Sequence, residues 1–217
     1  MGKIAVPDPR PLAFEDAVRR RPGMYLGAPG LQRWFALVGE ALRAGQGLVA
    51  LVNGDGPAPH VELTWQVDAD QVALGFAWSW SPGDGPGARA ALGPGAMPQG
   101  PALGHPVAEP LAVIAAASLG FGCRASVRGT KIVAVSSGGR LERTVLVWRR
   151  RPRPGRQCLA IRFRRDPAIA DSTGFSPAAA CGFMAGVQRH FRGLLPDPDP
   201  CAALAAAANR NGTHDHG

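Results

Sequence analysis

The sequence predicts an α+β fold, a two-layer sandwich in which about three helices cover one face of a mixed, mostly antiparallel sheet. Three observations predict it: an early segment with apolar residues at helical spacing, a series of short strand-like segments joined by turns, and a final amphipathic helix. With 217 residues, the chain is long enough for one domain with a substantial core.

The first long helix is predicted to begin at Leu31, because apolar residues then recur every three or four positions. Two strands follow, over residues 60–67 and 71–80, and the first alternates apolar and polar residues as a half-buried strand does. Residues 81–104 contain seven glycines and five prolines, which exclude a regular helix or a central strand. This composition predicts a long, lid-like loop.

The second half of the chain begins with a helix predicted over residues 107–120, which is apolar on nearly all sides and therefore buried. Four strands are predicted after it, over residues 123–129, 131–137, 141–148 and 157–163. The glycines of "SGGR" (137–140) predict a hairpin between the middle two strands. Ser176-Pro177 predicts the start of the last helix, with serine as N-cap and proline at the first helical position.

The predicted domain covers residues 13–195, with an extended arm at 1–12 and a flexible tail at 196–217. No segment resembles a membrane span or a secretory signal. The four cysteines are far apart, without a CxxC pair, which argues against a zinc site and favours buried, reduced thiols in a cytoplasmic protein. The net charge of +8 comes almost entirely from arginine in an Ala-, Gly- and Pro-rich chain, so it is weak support for nucleic-acid binding.

The stretch "EDAVRRRPGMYLG" (15–27) is a basic turn that resembles the start of the ATPase domain of DNA gyrase B and its type II topoisomerase relatives, which reads roughly "EAVRKRPGMYIG". The family motif leads into a helix that begins "GLHH", and Gly30-Leu31 stands at that place here. Downstream, "IRFRRDPAI" (161–169) is similar to "VRFWPDPEIF", and "TGF" (173–175) is similar to "TEF". The resemblance implies the GHKL, or Bergerat, ATPase sandwich.

In that family the first helix supplies a glutamate that activates water and, four residues later, an asparagine that holds Mg²⁺. Aligned without gaps, these two positions fall on Leu37 and Ala41, and neither side chain can do the work. Glu40 is the only acid in the helix, and no register supplies both groups; we expect it to be a solvated surface acid paired with Arg43. The threonines that precede "VRF" in the family are also missing, replaced around Leu159.

The nucleotide-binding motifs are equally weak. The family's adenine-reading "DDGRGIP" has only a faint counterpart in Asp84, Gly85 and Gly87, with glycine at the reading position unless the register differs by one. Its phosphate-cradling "GLHGVG" is replaced by "HPVAEP" (105–110), where two prolines lack N–H donors and an acid repels phosphate. Arg128 lies near the arginine of the family's "RDGK" and is the one element that persists.

These losses predict a pseudo-ATPase, a non-hydrolysing binding or regulatory protein without a nucleotide or metal cofactor. Its partners would be DNA or a topoisomerase, with a homodimer conceivable and no membrane association. The alternative is a divergent gyrase B-type topoisomerase subunit that still uses ATP and Mg²⁺. A further alternative is a small-molecule binder or enzyme that reuses the vacated pocket, with Trp78, Trp80 and His105 as lining candidates.

A dense basic run, "WRRRPRPGR" (148–156), predicts a possible nucleic-acid patch. Its arginines are Arg149, Arg150, Arg151, Arg153 and Arg156. Further arginines at 143, 162, 164 and 165 would extend it. The alternative, a solvated hairpin loop in an arginine-rich protein, is favoured.

Overall fold

The structure, a computed structural model, describes residues 14–53, 59–80, 106–128, 130–137, 140–147 and 155–190. The described helices are α1 (Phe14–Arg20), α2 (Pro22–Leu26), α3 (Leu31–Asn53), α4 (Ala108–Ala116) and α5 (Pro177–His190). The described strands are β1 (Val61–Val67), β2 (Gln71–Trp80), β3 (Ser118–Val127), β4 (Thr130–Ser137), β5 (Arg140–Val147) and β6 (Gly155–Arg165). The predicted arm (1–12), lid-like loop (81–104) and tail (196–217) lie outside the described residues.

The six described strands form one sheet in the order β1-β2-β6-β3-β4-β5, and every described pairing is antiparallel. On β6, residues alternate between buried and exposed, so one face packs on the helices and the other is open to solvent in the described part of the chain. The predicted α+β two-layer sandwich is therefore confirmed, with two short helices added to the three expected. The predicted hairpin is also confirmed, since Ser137 pairs with Arg140.

Helix α3 begins at Leu31, as the apolar spacing predicts, directly after Gly30, whose φ of 94° suits glycine. Contrary to the sequence-based expectation, α3 is long and apolar enough to cross a membrane by length and composition. Twelve of its 23 residues are buried inside the domain, however, and the core helix of a soluble protein passes the same test. Its apolar length therefore has a structural reason in the packing of the core.

The basic stretch near the N-terminus is not a simple turn, because it forms two short helices separated by Arg21. Pro22 does not interrupt a helix because it occupies the first turn of α2, where its missing N–H costs no hydrogen bond. Arg19, in the last turn of α1, donates to the Asp166 carboxylate at 2.6 Å and to the carbonyl of Ala116 at 2.9 Å. The segment is thus fixed both to α4 and to the residue that follows β6.

Two other helix boundaries are set by serine side chains. The predicted helix over 107–120 is too long: α4 ends at Ala116, and the Ser118 hydroxyl donates to the carbonyl of Ile114 at 2.6 Å as β3 begins. At the start of α5, the hydroxyl of Ser176 accepts a hydrogen bond from the backbone N–H of Ala179 at 3.1 Å, which confirms the predicted N-cap.

The close approach of α3 to the sheet generates the first prediction. A Cβ at Gly45 would overlap the ring of Phe76 on β2, whereas a Cβ at Gly39 of the same helix would meet nothing within 4 Å. We expect Gly45→Ala to lower the free energy of unfolding by about 1–2 kcal/mol, because overpacking outweighs the gain in helix propensity. Gly39→Ala should instead raise it by about 0.5–1 kcal/mol. Urea denaturation of both variants checks this, and an equal gain in both would contradict the packing described.

Candidate functional site

The candidate site is the space between α3, α4 and the inner face of the sheet, where the resemblance places a nucleotide. Leu37 and Ala41, at the positions of the family's base and metal ligand, are both 0% exposed. Both belong to the continuous apolar core that joins the helices to the sheet. At these two positions the structure therefore provides close-packed hydrocarbon and no side-chain oxygen atom.

Glu40 is paired with Arg43, as expected, but it is not solvated. Its side chain is 8% exposed, whereas that of Arg43 is 60% exposed, so the carboxylate lies inside the domain and the guanidinium outside. The second carboxylate oxygen, Oε2, is buried and has no hydrogen-bond partner among the described residues. The expectation of a surface acid is wrong because α4 packs against this side of α3 and covers it.

The environment of Glu40 disfavours its charge. Burial raises the pKa of Glu40 above its ordinary value, and the negative charge of Glu109 on α4 adds to the shift, while Arg43 opposes it. A buried acid with a raised pKa and an unused oxygen is the kind of group that can exchange a proton. The described residues contain no group of three or more histidine, cysteine, aspartate or glutamate side chains that could hold a metal ion.

The start of α4, where the family cradles phosphates, lies against α3. A Cβ at Gly47 of α3 would overlap the backbone carbonyl of Pro106, so the two backbones are in direct contact there. Pro106 and Pro110 provide no N–H donors at this helix start. Two of the described residues at this helix start therefore lack the N–H donor with which a helix N-terminus binds phosphate.

The sheet side of the same space is also filled. Leu159, at the position of a missing family threonine, is 2% exposed and pairs in register with Phe76, which is 3% exposed. The ring of Phe76 packs against Gly45, so an aromatic side chain fills the gap between β2 and α3. Sequence reasoning missed Gly45, Gly47 and Phe76; the available signal was the pair of glycines inside a helix, where each costs stability without a packing reason.

Arg128 has a structural use. Its guanidinium lies 4.2 Å from the centre of the Trp80 ring and donates to the carbonyl of Val52 at the end of α3. Its backbone N–H donates to the side chain of Gln157, and its φ of 49° places it in the left-handed region that favours glycine. These contacts join β3, β6, β2 and α3 at one end of the sheet.

The tryptophans proposed as pocket lining share the buried face of β2, with Trp78 2% and Trp80 4% exposed. Their indole N–H groups, and the side-chain amide of Asn53, are buried without an acceptor among the described residues. Trp78 pairs in register with Gln157, next to the Arg128 contacts. This end of the sheet is therefore rich in donors, and whether it binds a ligand stays a prediction.

Of the remaining sequence candidates, one lies within the described residues and the others do not. Arg156 forms an exposed ion pair with Glu62 at 2.6 Å. Eight candidates lie outside the described residues: Asp84, Gly85, Gly87, His105, Arg149, Arg150, Arg151 and Arg153.

The cysteines differ in exposure. Cys123 is buried, and burial raises the pKa of its thiol to about 12. Cys158 is exposed, so the expectation of buried thiols is wrong for Cys158.

Neither a protein-family model nor a curated protein matches the chain. Among solved structures, the chain is similar to the B-subunit of the DNA gyrase from Myxococcus xanthus, with 23% identity and a TM-score of 0.48. The similarity covers 77% of this chain and 47% of that chain, so the protein spans about half the length of that gyrase chain.

The buried acid generates a pH-dependent prediction. Because the folded-state pKa of Glu40 is raised, its contribution to stability is full below the ordinary value of 4.5 and is lost as pH rises through the folded pKa. Glu40→Gln should therefore be more stable than the wild type at neutral pH, with the difference vanishing near pH 4.

Chemical denaturation at acidic and neutral pH measures this difference. Glu62→Gln, which removes one partner of an exposed ion pair, is the matched control and should change the unfolding free energy by less than about 1 kcal/mol. A Glu40→Gln variant that is less stable than the wild type at neutral pH would show that the Arg43 pair outweighs the cost of burial.

Proposed function

We propose that this protein is a degenerate, gyrase B-like GHKL domain that does not hydrolyse ATP and acts as a binding or regulatory protein. The observation that carries the proposal is the complete burial of Leu37 and Ala41 in the apolar core. Hydrolysis needs a group that accepts a proton from water and oxygen ligands that hold Mg²⁺ near the phosphates. A leucine and an alanine supply neither.

The Arg19–Asp166 contact supports the proposal, because it gives the motif residues a role in the fold. Arg19 belongs to the N-terminal motif and Asp166 to the "RRDPAI" motif, and the two are joined at 2.6 Å. Arg33, just after Gly30-Leu31, also donates to the carbonyl of Ile169 at 2.9 Å. These residues hold α1, α3 and the end of β6 together, which is a reason to retain them that does not depend on catalysis.

A domain of this kind works through its surfaces, so we propose DNA or a topoisomerase as its partner, in the cytoplasm. One observation favours a second candidate, a divergent ATP-binding gyrase B-type protein. Glu40 lies three residues after Leu37 on the same side of α3, and it combines burial, a raised pKa and an unused carboxylate oxygen. In that candidate Glu40 would act as the base, although Arg43 already occupies its other oxygen.

Calorimetric titration with Mg-ATP, together with a phosphate-release assay, separates the two candidates. We expect no saturable binding at micromolar nucleotide and no phosphate release above the buffer rate, with Glu40→Gln indistinguishable from the wild type. Micromolar binding with turnover that disappears in Glu40→Gln would overturn the proposal and establish the second candidate. Phosphate release that survives in Glu40→Gln would point to a contaminating ATPase, which a second purification step removes.

A further inference from the structure

A trench of about 410 Å³ crosses the outer face of the sheet, on the side away from the helices. It runs over β6 and its neighbours β2 and β3, and Gln66 of β1 closes one side. The outward-facing side chains that line it are Gln66, Gln71, Ala73, Arg162 and Arg164. It is separate from the space between α3 and the sheet, so its use does not depend on nucleotide binding.

Two arginines of the trench carry unbalanced charge. Arg162 and Arg164 are alternate residues of β6, so their Cα atoms lie roughly 6.6 Å apart on one face. Both are exposed, and neither has a hydrogen bond or a carboxylate partner within the described part of the chain. Arg156 and Arg165 of the same strand differ, since they pair with Glu62 and Asp70 respectively.

Three of the four residues that flank these arginines on the neighbouring strands have small side chains or none. Arg162 lies between Ala73 and Gly122 in register, and Arg164 is flanked on β3 by Gly120. A Cβ at either glycine would meet nothing within 4 Å, and neither glycine has a positive φ. Gly120 adjoins a register shift at the start of β3, whereas neither packing nor register requires a glycine at position 122. A glycine inside a strand costs stability and often marks a place where a ligand comes close to the backbone.

The arginine side chains of the trench are suited to binding a phosphate group. A guanidinium presents a fork of N–H donors that matches phosphate oxygens, and Arg162 and Arg164 both line the trench. The nearby carboxylate of Asp68 is engaged by the side-chain amides of Gln66 and Gln71, at 2.8 and 3.4 Å. Neither Arg162 nor Arg164 forms an ion pair with Asp68 or with any other carboxylate among the described residues.

Among the described residues, the outer face also offers no aromatic ring on which a nucleotide base could stack. Among the described outward-facing residues of β1, β2, β3 and β6 there is no aromatic side chain, and single-strand binding relies on base stacking. We propose that this trench binds the phosphodiester backbone of a nucleic-acid duplex, without reading its sequence. Arg124, exposed on the neighbouring strand and in register with Ala160 of β6, extends the positive surface.

Fluorescence anisotropy with labelled DNA and RNA duplexes of mixed sequence, over a series of salt concentrations and without nucleotide, tests the proposal. We expect binding of at least one duplex that weakens steeply with salt. The double variant Arg162→Gln/Arg164→Gln should reduce the slope of log affinity against log salt by about 2, at roughly 0.9 for each phosphate that is no longer neutralised. Arg20→Gln/Arg21→Gln, which removes the same charge from exposed residues of the N-terminal segment, should leave the slope nearly unchanged.

A second variant tests the trench without changing charge. Gly122→Val fills the floor beside Arg162, and because its Cβ meets no neighbour the fold should be retained, as circular dichroism would show. We expect duplex binding to fall in this variant. Equal loss in the two arginine double variants, unchanged binding in Gly122→Val, or tighter binding of single strands or of polyglutamate would each overturn the proposal. None of these outcomes bears on ATP hydrolysis.

Discussion

The structure depends on the direct contact of α3 with β2 and with the start of α4, which two glycines make possible. Gly45 accommodates the ring of Phe76, and Gly47 accommodates the carbonyl of Pro106. On the same helix, Leu37 is buried in the apolar core, and the Glu40 carboxylate is buried close to it in sequence. The proposal that the domain does not hydrolyse ATP depends on this packing, because the charge of a bound phosphate requires donors, metal ligands or water around it.

A second constraint is electrostatic and local. The half-exposed Arg19 reaches the nearly buried carboxylate of Asp166, which also caps the following turn by accepting the backbone N–H of Ala168 at 3.0 Å. The two stretches with the strongest resemblance to gyrase B thus meet in space and position each other. A sequence signature of this kind reports how the fold is built, and function has to be argued from the groups in the site.

Much of the fold could be predicted from sequence periodicity and turn chemistry, including the start of α3 at Leu31, the β4–β5 hairpin and the N-cap at Ser176. What could not be predicted depends on contacts between distant segments. The burial of Glu40 requires α4 to pack over it, and no local pattern shows that. Strand alternation places Arg162 and Arg164 on one face of β6 and Arg165 on the other. Whether Arg162 and Arg164 find partners among the described residues depends on how β6 pairs with β2 and β3, which the local sequence does not show.

The close packing of α3 around Leu37 is measured most directly by the stability of Leu37→Glu against that of Ala50→Glu. Both variants place one acid on α3. Leu37 is 0% exposed, whereas Ala50 is exposed. We expect Leu37→Glu to lower the unfolding free energy in urea denaturation by about 3 kcal/mol or more, because an unpaired charge would be buried. Ala50→Glu should be nearly neutral. Equal stability of the two variants would mean that residue 37 faces a solvated cavity, which would contradict the close packing described for α3.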